Sequence, residues 1–129
     1  MPLVRIDCVR GRSPEELRAL ADTVQEVMLD VFAAPERDRY QVIHQHDAGE
    51  LICEDTGLGI ERSEDVVVIA VTHQGRVREQ KEALYAALAQ RLGERGQVRP
   101  EDLVVSLTEN TKEDWSFGHG RAQFLTGEL

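Results

Sequence analysis

Pro2 stands directly behind the initiator methionine, at the head of the stretch MPLVRID. Removal of Met1 by an aminopeptidase would leave this residue with a free secondary amine, at once a base and a nucleophile. It also has a plain structural reading, because the first residue of a strand tolerates proline without losing a ladder hydrogen bond. His44 and His46 share one face of a strand at i, i+2, a spacing open to a metal pair. No third or fourth ligand accompanies them, so strand packing explains them as well. EDTGLGIERSED (residues 54–65) is glycine-containing but lacks a lysine at Walker spacing, and reads as a turn rather than a phosphate cradle. The tail DWSFGHGRAQFLTGEL carries Trp115, Phe117 and Phe124, half of the six aromatics in the chain. It is a core plug, a subunit contact or a pocket wall. Asp38 has the setting of a turn residue, and Arg76 that of a residue starting a helix.

Stepping from these residues to the elements that must hold them, LVRIDCV (Leu3 to Val9) has the β-branched content of a strand. Ser13 then acts as a helix N-cap with Pro14 at the first helical position and acidic residues behind it. Leu17, Leu20, Val24, Val27, Met28 and Val31 recur at helical spacing, predicting an amphipathic helix of about five turns. Beyond Pro35, RYQVIHQH is a second strand. The pattern then repeats. VVVIAVT (Val66 to Thr72) is a strand whose near-continuous apolar run predicts burial on both faces. GRVREQ opens a helix with Ala83, Leu84, Ala87, Leu88 and Leu92 on one face, and PEDLVVSL supplies the last strand. Gly11-Arg12 matches Gly75-Arg76, and Pro35-Glu36 matches Pro100-Glu101 with one residue of slippage, which marks a duplication.

The expected fold class is therefore α/β (α+β): two fused β-α-β units, about residues 1–60 and 61–129, in one domain. They form a mixed sheet with two helices on one face. The other face lacks cover from so short a chain, and oligomerisation would supply it.

Composition narrows the function. A formal charge of −9 argues against non-specific nucleic-acid binding, which needs a basic face, yet leaves room for a small anionic substrate in a locally positive pocket. No apolar run is long enough for a membrane span, and the charged start does not read as a signal peptide. Cys8 and Cys53 lack CxxC spacing, and their apolar, strand-like settings predict free buried thiols. A cytoplasmic protein with no membrane partner is expected.

With Pro2, the GRS step into the first helix, PERDRYQ (Pro35 to Gln41), EDTGLG (Glu54 to Gly59) and the tail from Asp114 to Leu129, the chain resembles the tautomerase superfamily. It is most similar to the fused, double-length malonate semialdehyde decarboxylases. The resemblance implies a homotrimer that needs no metal or organic cofactor. It matches Pro2 to the catalytic proline, Asp38 to an aspartate near the prolyl nitrogen, and Arg76 to an arginine holding the substrate carboxylate. Trp115, Phe117, Phe124 and Leu129 match an apolar wall beside the reacting carbons. One position departs: the family pattern carries a second arginine two residues before Arg76, where this chain has Gln74. Its amide can donate to a substrate but carries no charge, and Arg78 is the nearest cation that could compensate. Arg12, at the matching place in the first repeat, is expected to be structural, and His73 is a further candidate for the pocket lining.

These residues suit decarboxylation of a 3-oxo acid to an aldehyde and CO2, a lyase reaction. A protonated Pro2 would polarise the carbonyl, while an unprotonated one would form an iminium. The Asp38 carboxylate favours the ammonium form. Arg76 offers a donor fork that fits a carboxylate bidentately. Two other functions compete: a hydratase, dehalogenase or keto-enol tautomerase acting on a related unsaturated or 2-oxo acid, and a non-catalytic signalling module.

Overall fold

The computed structural model describes residues 2–129. Met1, on whose removal the chemistry of Pro2 depends, lies outside the described residues. The chain runs β1 (Leu3–Val9), α1 (Pro14–Val31), β2 (Tyr40–His46), β3 (Val67–Gln74), α2 (Arg78–Glu94), β4 (Leu103–Asn110) and a short α3 (Gln123–Thr126). The strands form one sheet in the order β2-β1-β3-β4. β1 pairs with β2 and β3 with β4 in parallel, and the two units join through the antiparallel β1·β3 ladder.

The start of α1 follows from its sequence. Ser13 Oγ accepts from the Glu16 amide at 3.1 Å, and the Glu16 carboxylate accepts from the Ser13 amide at 2.9 Å, a closed capping box. The apolar stripe of α1 and Leu84, Leu88 and Leu92 of α2 lie against Val4, Ile6, Cys8, Val67, Ile69 and Val71 of the sheet. Full burial of each leucine contributes roughly 1.5–3 kcal/mol. Ala83 is exposed, one residue off the buried stripe of α2.

β3 corrects the expectation of burial on both faces. Val67, Ile69, Val71 and His73 are buried, but the alternate Val68, Ala70, Thr72 and Gln74 are only half-buried. The reason lies in the layering: the two long helices, α1 and α2, both cover one face, and among the described residues no long helix lies on the other. On that open face Leu3 is 39% exposed, Tyr40 39% and Val42 44%. It also carries a small charge network, with Asp7 accepting from Arg5 at 3.0 Å and facing His46 Nε2 at 2.7 Å. His46 is thus tied to Asp7 while His44 is exposed, and among the described residues no three His, Cys, Asp or Glu side chains could hold a metal ion.

The segment between the units is a turn. The Asp55 carboxylate accepts from the Gly57 and Gly59 amides at 3.1 and 2.9 Å, so these N–H groups are spent internally rather than open to a phosphate. Both glycines have positive φ, 77° and 72°, which L side chains avoid. Cys8 is buried as expected, but Cys53 lies in this loop, outside any strand and half-buried. Among the described residues no helix is long and apolar enough to cross a membrane.

Candidate active site

Three stretches converge on a cavity of about 530 Å³, lined by Pro35, Arg37, Asp38, Tyr40, Gln74, Arg76, Phe124 and Leu129. The first is the turn from α1 into β2. The Asp38 amide donates to the Pro35 carbonyl at 3.0 Å, which closes the turn and leaves the Asp38 side chain buried, 9% exposed. Its Oδ2 has no hydrogen-bond partner among the described residues. Burial pushes the Asp38 carboxyl above the usual aspartate range, and the amino-terminal charge opposes that rise. The β1·β2 ladder begins at Leu3 and Tyr40, so Pro2, itself buried, sits one step ahead of that pair, at the end of the ladder where the turn carrying Asp38 enters β2.

The second stretch is the end of β3. Gln74 is its last residue, and the amide nitrogen Nε2 is buried without a partner among the described residues. Arg76 follows in the step into α2. Its Nε donates to the Phe32 carbonyl at 2.9 Å, and Nη1 donates to the carbonyls of Gly75 and Gln74 at 3.0 and 3.3 Å. The guanidinium also lies over the Phe32 ring, with Cζ 5.2 Å from its centroid. Phe32 caps the C-terminus of α1, where carbonyls lack intrahelical donors and the helix dipole favours a cation, so this is a natural seat for arginine. The seat has a consequence for the expected bidentate fork: Nε and Nη1 are committed to the backbone, and Nη2 is the nitrogen left for a ligand.

The third stretch is the tail. Phe124 and Leu129 reach the cavity wall. Trp115 and Phe117 stand behind it, stacked with centroids 5.6 Å apart, and Phe117 meets Phe124 edge-on at 5.5 Å. Trp115 Nε1 donates to Asn110 at the end of β4, while Gln123 bonds the Phe117 amide and the Gly118 carbonyl. These bonds fold the tail onto Tyr40, whose ring lies 5.7 Å from that of Phe117. Within one chain the tail lines the cavity through Phe124 and Leu129, with Trp115 and Phe117 packed next to Phe124, and none of these four side chains is fully buried.

Other candidates fall elsewhere. Arg12 donates to the Gln97 carbonyl at 3.2 Å, far from this cavity in the fold. Arg78 begins α2 and is exposed outside the lining. His73, a candidate for the lining, points to the other side of the strand from Gln74 and is fully buried against Phe32. The sequence reading missed Arg37, Pro35 and Tyr40. Alternation along β2 could have indicated Tyr40, but an arginine in a turn carries no signal until the turn is folded.

A family model described as tautomerase enzyme matches residues 38–118, and a second of the same description matches residues 2–61. The chain belongs to the tautomerase superfamily. Within this superfamily it is 45% identical over 129 residues to the "Probable tautomerase" YrdN of Bacillus subtilis (strain 168), with 100% of both chains covered. Two solved malonate semialdehyde decarboxylases share the tautomerase fold with it at a TM-score of 0.94. One, solved in wild-type, mutant and inactivated forms to explain decarboxylase and hydratase activities, is 43% identical with 98% of each chain covered. The other, inhibited by 3-bromopropiolate, is 46% identical, with 98% of this chain and 97% of that chain covered.

Proposed function

We propose that this tautomerase-superfamily enzyme is a decarboxylase of malonate semialdehyde, releasing acetaldehyde and CO2 with the prolyl nitrogen of Pro2 as its working group. The observation that carries the reading is one cavity lined together by Asp38, whose buried Oδ2 has no partner among the described residues, by the backbone-seated Arg76 and by the apolar Phe124 and Leu129. The similarity to two decarboxylases over nearly the whole chain supports it.

In this mechanism Arg76 Nη2 and Gln74 Nε2 bind the substrate carboxylate, one with a charge and one without. They hold the bond to that carboxylate perpendicular to the carbonyl plane, where its electrons can flow into the C=O. The Pro2 ammonium hydrogen-bonds the aldehyde oxygen and stabilises the enolate left as CO2 departs. The enolate carbon then takes a proton to give acetaldehyde. Asp38 keeps Pro2 charged through Coulomb attraction. Phe124 and Leu129 exclude water, which favours neutral CO2 over the charged ground state. Neither a metal nor an organic cofactor enters the scheme, and the active form is a homotrimer in the cytoplasm.

The second reading is a hydratase or tautomerase acting on a related unsaturated or 2-oxo acid. It draws on Asp38, whose free oxygen could activate water, and on Gln74, which lowers the positive charge of the clamp. Intact mass spectrometry before and after malonate semialdehyde plus cyanoborohydride, with acetaldehyde followed in parallel, tests the proposal. Loss of Met1 and production of acetaldehyde are expected. A processed chain without turnover on this substrate, but active on an unsaturated acid, would move the assignment to the second reading. A reduced adduct on Pro2 would replace the ammonium route by the iminium.

A further inference from the structure

His73 is fully buried on the inner face of β3, and no step of the scheme above uses it. We propose that His73 is a positioning residue: it fixes the seat of the Arg76 guanidinium and thereby the affinity of the cavity for a carboxylate. The inference rests on the reading of Arg76 as the carboxylate-holding group.

Three observations converge on it. His73 Nδ1 faces the carbonyl oxygen of Gln74, which can only accept, so Nδ1 carries the ring hydrogen and donates. The same oxygen accepts from Arg76 Nη1 at 3.3 Å, so imidazole and guanidinium meet on one atom. Second, the His73 ring packs edge-on against Phe32, with centroids 5.2 Å apart. Phe32 is a second anchor of Arg76, through its carbonyl and its ring. His73 therefore touches two of the three residues that hold the guanidinium, the third being Gly75 through its carbonyl.

The third observation concerns cost. His73 Nε2 is buried with no partner among the described residues. An unpaired buried acceptor is unfavourable, and phenylalanine would pack on Phe32 without leaving one. What histidine adds at this position is the Nδ1 hydrogen, and its recipient is the carbonyl shared with Arg76. Holding that carbonyl fixes the peptide plane between Gln74 and Gly75, from which both ligand-facing donors of the cavity are set out.

The test combines nitrogen-detected NMR of the imidazole and guanidinium groups with steady-state kinetics on malonate semialdehyde, for wild type, His73→Phe and His73→Asn. Wild type should carry the His73 hydrogen on Nδ1, with slow solvent exchange at Arg76 Nε. His73→Phe keeps the ring packing but removes the donor. It should speed exchange at Arg76 Nε and raise KM about tenfold. Its kcat should stay within about twofold of wild type. His73→Asn, whose amide nitrogen stands near the position of Nδ1, should recover most of the lost affinity and the slow exchange.

A wild-type hydrogen on Nε2 would overturn the proposal. So would a folded His73→Phe with unchanged exchange and KM, a loss confined to kcat, or an asparagine variant no better than phenylalanine. If His73→Phe fails to fold, the wild-type tautomer and the asparagine variant still decide. Absence of wild-type turnover would remove the proposed reaction, while the exchange measurements would still decide the role of His73.

Discussion

Asp38 is a carboxyl group in an unfavourable place. Burial raises its pKa, the amino-terminal charge pulls the other way, and Oδ2 has no partner among the described residues. A raised carboxyl pKa means that the folded chain binds the proton more tightly than the unfolded chain. The associated stability is complete below the unfolded pKa and is lost as pH rises through the folded one. Asp38→Asn should therefore raise Tm at pH 7 but not in acid, where the wild-type carboxyl is protonated, as thermal melts across that range will read. The same variant should lower kcat about 100-fold or more. A fall in Tm at pH 7 would mean that the charge is stabilising and the account wrong. The two cavity arginines predict different losses. Arg76→Lys cannot satisfy three carbonyls and still present a nitrogen to a ligand, so kcat/KM should drop about 100-fold at any ionic strength. Arg37 is exposed at the cavity rim. Arg37→Ala should raise KM only about threefold, an effect that fades with added salt.

At the scale of elements, the site is assembled from terminations. The end of α1 supplies the Phe32 carbonyl, the end of β3 supplies Gln74, and the turn into β2 supplies Asp38. Changes that loosen an element away from those ends should cost stability and spare chemistry. Ser13→Ala opens the capping box at the far end of α1 and should cost about 1 kcal/mol. Denaturant midpoints will read that loss, with KM and kcat unchanged; a loss of activity in the folded variant would show that the helix start is coupled to the site. The element boundaries were legible where local chemistry sets them, as at Ser13-Pro14 and along the alternation of Leu3–Val9. β3 runs two residues past the apolar stretch, to Gln74, because its pairing with Glu109 and Asn110 of β4 extends the ladder through polar residues. Pattern alone could not show that, since the extension is stabilised by hydrogen bonds from a strand about 36 positions away in the register.

For the whole molecule, the open face of the sheet is the dominant feature. It carries exposed Leu3, Tyr40 and Val42, and among the described residues β2 and β4 are the edge strands, each paired with a strand on one side alone. Under the trimer proposal these surfaces meet in the assembly. Val42→Asp should then shift sedimentation from trimer to smaller species, with activity falling in parallel. A variant that sediments as wild type would show that this face is not the interface.

The sequence by itself determined the two β-α-β units, the cap of α1, the apolar stripes and the membership that its motifs announce. The cap and the stripes depend on neighbours within a few residues, where spacing translates directly into geometry, and the repetition of one pattern marks the two units. Tertiary structure alone decided the rest. It turned His73 away from the cavity and under Phe32, spent two nitrogens of Arg76 on backbone carbonyls, brought Arg37 to the rim and set Trp115 and Phe117 behind Phe124. These outcomes depend on which distant carbonyls, rings and strand ends meet in space. Such meetings are fixed by packing and ladder register across the whole chain, not by local spacing.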